Sequence, residues 1–210
     1  MNQHSLRFEY EARYSTLGEP GNKAWLVCHG YGQLAPYFIR HFGALAELGY
    51  YIVAPEGLSR FYIQGHSGRV GASWMTREER LTDISNYLHY LDAVAEHSGL
   101  REAAEINLLG FSQGVATISR WAMHTQLQYK KLVLWAGVFP PDLPPQLSSS
   151  RLGQVSLYQV WGAQDPFLKR EETAKQTLFL QSLNPLKYSE LSFEGEHSMH
   201  SPTLLKVASD

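Results

Sequence analysis

The feature that most constrains this chain is a glycine–serine–glycine motif between an apolar run and a segment that can form a helix. Residues 106–109 read INLL, residues 110–114 read GFSQG, and small or apolar residues follow. A strand that passes through Gly-x-Ser-x-Gly directly into a helix holds the serine hydroxyl on a sharp turn, the nucleophile elbow. Glycine suits positions 110 and 114 because side chains there would collide with neighbouring backbone. Ser112 is therefore the candidate nucleophile, and the backbone N–H of Gln113 is a candidate donor to an oxyanion.

Composition and charge argue against several classes of protein. The 210 residues are 44% hydrophobic and 12% aromatic, which is typical of a packed globular chain rather than a disordered one. A net charge of -2 and the lack of a block of like charges argue against nucleic-acid binding. The polar N-terminus has no signal-peptide core, and no apolar run is long enough to cross a bilayer. We therefore expect a soluble, cytoplasmic protein without stable membrane insertion, in which the single Cys28 is a buried thiol.

The order of the apolar runs predicts the fold class, which is α/β. Short buried strands separated by segments of helical length indicate a mostly parallel central sheet with helices on both faces. Neither a repeat nor a linker interrupts the pattern, so residues 1–210 are expected to form a single domain without a large cap. The predicted strands lie near 25–28, 51–55, 106–109, 131–136, 155–161 and 188–193, with a half-exposed edge strand over 6–16.

Residues 57–75 form the longest segment without a regular pattern. Such segments are often functional, and this one carries Phe61, Tyr62, Trp74 and Met75 as candidates to line an acyl or alcohol pocket. A capping box of Thr76 and Glu79 predicts that a helix begins directly after it.

A serine hydroxyl is a poor nucleophile unless a histidine takes its proton and a carboxylate orients that histidine. Asp165 and His197 each follow a predicted strand and complete the order Ser, Asp, His expected of this fold. Asp142 is a rival acid, although a Pro-rich bend separates it from its strand. His200 is a rival base, and a metal site on His197 and His200 is a further alternative that no other ligand at suitable spacing supports.

The loop after the strand at 25–28 reads HGYG over residues 29–32. Its glycines permit a close backbone approach, so the N–H of Tyr31 is the candidate for a second oxyanion donor. His29 is expected to support this loop rather than to take part in the chemistry.

Four motifs together carry a resemblance to a known family. They are HGYG at 29–32, GFSQG at 110–114, GAQD at 162–165 and FEGEH at 193–197. In these motifs the chain resembles the phospholipase/carboxylesterase family of α/β-hydrolases, which includes acyl-protein thioesterases.

The resemblance implies a cytosolic serine esterase or thioesterase that acts on a small-molecule substrate and needs no cofactor or metal. It implies Ser112, Asp165 and His197 as the triad, with the N–H groups of Tyr31 and Gln113 as the oxyanion hole. Dienelactone, peptide or transacylase chemistry on the same triad, and a non-catalytic binding module with this fold, are the alternatives. Whether the chain forms a homodimer is left open.

Overall fold

The structure is a computed structural model that describes Asn2 and residues 4–210, apart from the side chain of Arg170. Met1 and Gln3, which belong to the predicted domain, lie outside the described residues. The strands are β1 Tyr14–Leu17, β2 Lys23–Cys28, β3 Tyr51–Pro55, β4 Ser59–Tyr62, β5 Val70–Ser73, β6 Glu105–Phe111, β7 Lys131–Trp135, β8 Ser156–Gly162 and β9 Lys187–Phe193. The α-helices are α1 Ala35–Phe38, α2 Gly43–Glu47, α3 Arg80–His97, α4 Gln113–His124, α5 Pro145–Leu152, α6 Arg170–Ser182 and α7 Ser201–Ser209.

The main sheet has seven strands in the order β1-β3-β2-β6-β7-β8-β9. β1 pairs with β3 in antiparallel orientation, and all the other pairs are parallel. The carboxyl ends of the parallel strands therefore meet at one edge of the sheet, where loops after β2, β6, β8 and β9 come together. Ligands of open α/β sheets bind at this edge, so the topology places the predicted functional loops side by side.

The alternation of side chains along β2 explains why helices cover both faces of the sheet. Leu26 and Cys28 point into one core together with α3 and α4, while Trp25 and Val27 point into a second core together with α1 and α7. Side chains of successive residues leave a strand on opposite faces, so a continuous apolar run needs cover on both sides. The predicted mostly parallel sheet with helices on both faces is confirmed.

The predicted edge strand over 6–16 is wrong at its start. Only Tyr14–Leu17 pairs with β3, in a register that runs from Tyr14 opposite Pro55 to Leu17 opposite Ile52. β3 ends at Pro55, so the residues before Tyr14 have no partner strand to pair with among the described residues.

The prediction that residues 57–75 are irregular is also wrong. β4 and β5 pair in antiparallel orientation as a separate two-stranded sheet, with Tyr62 opposite Val70 and Ser59 opposite Ser73. Gly65 and Gly68 in the connecting turn have φ of 62° and 88°, which glycine adopts without strain. We call residues 59–73 the hairpin.

The predicted capping box does not form. Glu79 adopts a left-handed conformation with φ 50° and ψ 33°, and α3 begins at Arg80. The hydroxyl of Thr76 donates to the carbonyl of Glu78, and its N–H donates to Asp83. Glu79 therefore lies before the helix. Asp83, in the first turn of α3, accepts the N–H of Thr76 in place of the Glu79 carboxylate.

Within the described part of the chain, we find no helix with the length and apolar character needed to cross a membrane.

Candidate active site

Ser112 lies on the turn between β6 and α4 in a conformation that few non-glycine residues adopt. Its φ is 53° and its ψ is -118°, and its N–H donates to the carbonyl of Trp135 at 2.9 Å. Residues held in such regions cost on the order of 1–3 kcal/mol each and persist only where the surrounding structure imposes them. The turn is therefore a strained element that its neighbours hold in place.

The two glycines of the motif are required by contacts with backbone. A Cβ atom on Gly114 would lie 2.2 Å from the carbonyl oxygen of Cys28, and one on Gly110 would lie 2.3 Å from the carbonyl oxygen of Gly114. Neither contact is possible without moving main chain, so the predicted collisions at these positions are confirmed.

Asp165 and His197 come together at the ends of β8 and β9. The carboxylate oxygen Oδ2 of Asp165 lies 2.7 Å from Nδ1 of His197, and the other oxygen, Oδ1, accepts the N–H of Phe167 at 2.9 Å. The Asp165 side chain is 1% exposed and that of His197 is 19% exposed. Both carboxylate oxygens are thus engaged, which fixes the plane of the carboxylate and the imidazole that it holds.

The His197 ring lies against the residue that precedes Ser112. Its centroid is 4.9 Å from the Phe111 ring and 4.9 Å from the Phe167 ring. The indole N–H of Trp135 donates to the carbonyl of Ser198 at 2.9 Å and fastens this loop to the end of β7. These contacts bring the loop after β9 to the elbow.

The rival residues are engaged elsewhere. Nδ1 of His200 lies 2.8 Å from the hydroxyl of Thr203, and its ring stacks on Phe193. Asp142 binds Arg120 through both carboxylate oxygens, at 2.7 and 3.2 Å, and this guanidinium lowers the pKa of the Asp142 carboxyl. Of the four candidate residues, only Asp165 and His197 form a hydrogen-bonded pair.

The loop after β2 borders Ser112. A Cβ atom on Gly30 would lie 3.1 Å from the Cβ of Ser112, so this backbone passes directly beside the elbow. The N–H of Gly30 donates to the Gln33 side chain, and that of Gly32 donates to Ala72 of the hairpin. For the N–H groups of Tyr31 and Gln113 we find no acceptor in the part of the chain that the structure describes.

Residues 17–209 match the phospholipase/carboxylesterase family. The chain belongs to this family. The resemblance seen in its motifs is confirmed, and membership makes the chain a hydrolase. No individually curated protein matches it.

Solved structures with the same fold cover almost the whole of this member of the phospholipase/carboxylesterase family. Esterase PE8 is 16% identical with a TM-score of 0.70, over 95% of this chain and 97% of the esterase. Acyl-protein thioesterase 2 from Zea mays is 16% identical with a TM-score of 0.69, over 95% and 97%. Protein TT1662 from Thermus thermophilus is 17% identical with a TM-score of 0.69, over 97% and 95%. At these identities the likeness shows the fold alone, and the predicted α/β-hydrolase fold is confirmed.

In this phospholipase/carboxylesterase-family chain, His29 is a buried support for the loop. Its Nε2 accepts the N–H of Gly57 at 2.9 Å, so the ring proton is on Nδ1, which donates to the carbonyl of Gly30 at 2.7 Å. The ring is fully buried against Trp74 and Phe38. His29 therefore links Gly57, just before the hairpin, to the loop beside Ser112. This is the supporting role that the sequence suggested.

Acidification is expected to destabilise the protein through His29. Burial disfavours the charged ring and lowers the pKa of His29, so below about pH 6.5 the unfolded chain binds a proton that the folded protein does not. The free energy of unfolding should then fall by up to about 1.4 kcal/mol per pH unit. The free energy of unfolding can be measured with urea at several pH values between 7.5 and 5.5. Its slope against pH should be smaller for His29→Gln than for the wild type. Part of the slope should persist in the variant because burial lowers the pKa of His41 as well. Equal slopes would show that His29 titrates alike in both states.

The predicted pocket residues separate into two groups. Trp74 is 2% exposed, belongs to the core, and donates its indole N–H to the carbonyl of His29 at 2.8 Å. Met75 packs against the same core, and its carbonyl accepts the Gln113 side chain at 2.8 Å. Both residues therefore contact the segments that flank Ser112, Trp74 through His29 and Met75 through Gln113. Because Trp74 is buried, it does not line an open pocket.

Phe61 and Tyr62 lie on β4, at the surface of the hairpin. The Phe61 ring packs against Tyr31 with centroids 5.0 Å apart and the rings tilted by 30°, and Tyr62 is exposed. Successive strand residues face opposite sides, so Phe61 is the one of the two that meets the loop beside Ser112.

Sequence reasoning missed the side-chain role of Gln113. Its Oε1 accepts the N–H of Trp74 at 3.1 Å, and its Nε2 donates to Ser73 and Met75. The residue thus joins the first turn of α4 to the end of the hairpin. A polar side chain inside an otherwise apolar or small helix start was the signal that could have pointed to this role.

His197 and His200 have different partners, Asp165 and the hydroxyl of Thr203. Within the described residues, His, Cys, Asp and Glu side chains nowhere form a group of three or more that could hold a metal ion.

Proposed function

We propose that this hydrolase cleaves carboxylic ester or thioester bonds through an acyl-enzyme on Ser112. Oγ of Ser112 attacks the carbonyl carbon while Nε2 of His197 takes the hydroxyl proton. The N–H groups of Tyr31 and Gln113 stabilise the negative oxygen that forms. His197 then donates the proton to the departing alcohol or thiol. In the second half, water attacks the acyl carbon, His197 takes its proton, and the acid is released as Ser112 regains its hydrogen.

The hydrogen bond between Asp165 and His197 is the observation that carries this proposal. An ionised carboxylate can only accept, so Nδ1 of His197 must hold a hydrogen, and in the neutral ring Nε2 then presents a lone pair. This is the tautomer that a general base for Ser112 requires. The ring also lies against Phe111, directly before the elbow, which supports the assignment of His197 to Ser112.

The proposed substrates comprise both esters and thioesters. The family description names phospholipases and carboxylesterases, and an acyl-protein thioesterase from maize has the same fold. Attack at the carbonyl and stabilisation of its oxygen are common to both bond types, so the proposed machinery does not itself distinguish them.

A fluorophosphonate probe tests the proposal because it reacts with activated serines. The folded protein is expected to take up one equivalent on Ser112, located by mass spectrometry of the modified peptide, and heat-denatured protein should take up none. A short ester substrate should slow the labelling by competition. Absence of labelling in the folded protein would favour a non-catalytic binding module, and labelling at another serine would displace Ser112 as the nucleophile.

A further inference from the structure

A cleft of about 620 Å³ opens beside the loop that carries Tyr31. It lies between this loop, α1 and the tip of the hairpin, and Gly32, the residue after Tyr31, forms part of its wall. The other lining residues include Gln33, Tyr37, His41, Arg69 and Val70. A substrate group in this cleft would therefore lie next to the backbone proposed to bind the oxyanion.

The wall of the cleft that the hairpin forms is held firmly in place. The N–H of Gly32 donates to the carbonyl of Ala72 at 2.9 Å, and the N–H of Ala72 donates to the carbonyl of Gln33 at 3.0 Å. A Cβ atom on Gly71 would lie 2.5 Å from the carbonyl oxygen of Gly32, so the two backbones are in direct contact. The hairpin and the loop thus form one surface.

No carboxylate is found among the described residues that line this cleft. Residues 29–46 and 57–75, the two segments that supply the lining residues, contain no Asp or Glu, although 20 of the 210 residues of the chain are acidic. The same two segments contain three arginines. Arg60 is neutralised by Glu56 at 2.7 Å, and the Arg40 guanidinium lies over the Tyr37 ring.

Arg69 differs from these arginines. Among the described residues that line the cleft, Arg69 is the one side chain that is charged at neutral pH. His41 also lines the cleft, but burial lowers its pKa and so favours the neutral ring. Arg69 is exposed and forms no ion pair with any described residue. An unpaired guanidinium at the mouth of a cleft attracts carboxylates and phosphates and can bind either through two N–H groups.

We propose that this cleft receives an anionic group of the substrate and that Arg69 selects for it. The inference rests on the proposed function and narrows its substrate class to esters or thioesters that carry a negative charge away from the bond that is cleaved. A neutral, lipid-like substituent could also bind in this cleft, but Arg69 would not add an ion pair to its binding energy.

Two matched pairs of esters test the proposal. Mono-4-nitrophenyl glutarate and 4-nitrophenyl valerate differ by a carboxylate on the acyl side, and 3-carboxyphenyl butyrate and 3-carbamoylphenyl butyrate differ by one on the leaving group. The measured quantity is the ratio of kcat/KM for the anionic ester to that for its neutral partner. In at least one pair, Arg69→Gln should lower this ratio about three- to fivefold, as expected for a partly exposed ion pair, and added salt should lower it in the wild type.

Controls separate a local effect from overall charge. Arg69→Lys should restore most of the ratio and Arg69→Glu should lower it further. Arg101→Gln removes the same charge before β6, at the opposite end of the sheet, and should leave the ratio at the wild-type value. An unchanged ratio in both pairs for Arg69→Gln, or an equal drop for Arg101→Gln, overturns the proposal. If the wild type hydrolyses none of the four esters, the proposed function fails first and this inference fails with it.

Discussion

Replacement of Ser112 by alanine is expected to lower kcat/KM for short 4-nitrophenyl esters by at least about 10⁴-fold. The substitution removes the atom proposed to form the acyl-enzyme, while the backbone at position 112 keeps its hydrogen bonds with Trp135 and Val115. The proposed oxyanion donors would still bind the carbonyl, so a small residual rate above water is expected. Initial-rate kinetics measure the effect, and thermal unfolding verifies that the variant is folded.

Ser119→Ala is the matched control for this experiment. Ser119 lies about two turns further along α4, is fully buried, and its hydroxyl has no hydrogen-bond partner in the part of the chain that the structure describes. Deleting a buried hydroxyl without a partner costs little, so activity should stay near the wild-type value. Wild-type hydrolysis by Ser112→Ala would rule out the proposed acyl-enzyme.

Replacement of Asp165 by asparagine is expected to lower kcat/KM by about 10⁴-fold without unfolding the protein. The N–H of Phe167 donates to Oδ1, so the amide of an asparagine should turn its oxygen to Phe167 and its NH2 group to His197. Nδ1 of His197 would then have to accept. The ring hydrogen would move to Nε2, where it blocks the transfer of the Ser112 proton. The loss should therefore extend over the whole pH range, which a profile of kcat/KM between pH 5 and 9 can measure.

Asp142→Asn distinguishes the two candidate acids. Asp142 binds Arg120 and Arg80, and Arg120 is itself 7% exposed, so the substitution leaves a buried guanidinium without its carboxylate. The expected result is a lower melting temperature with kcat/KM close to that of the wild type. If Asp142→Asn abolished hydrolysis and Asp165→Asn left it intact, the acid would belong to the segment after β7, and the proposed triad would be wrong.

Features set by local backbone geometry could be predicted well from the sequence. The strand before Ser112, the helix after it and the need for glycine at 110 and 114 follow from apolar patterning and from the room that a backbone turn allows. The alternation of buried strands with helical segments predicted the layered α/β fold for the same reason. The weaker predictions concerned segments with mixed patterns, such as the edge strand over 6–16 and the capping box at Thr76.

Features that depend on contacts between distant residues were decided by the tertiary structure. The pairing of Asp165 with His197 joins residues 32 positions apart, and nothing local excludes Asp142 or His200 as partners. The hairpin over 59–73 and the burial of Trp74 depend likewise on the loop after β2, which supplies the carbonyl of His29 and the backbone contacts of Gly32.

The sequence by itself therefore determined the fold class, the family and the position of the candidate nucleophile. The fold class and the position of the nucleophile follow from short-range sterics and hydrophobic periodicity, whereas the family was indicated by the resemblance of the four motifs. Only the tertiary structure decided which acid meets which base and which aromatic residues face the cleft. Such choices depend on the mutual placement of strand ends, and that placement is set by the packing of the whole sheet.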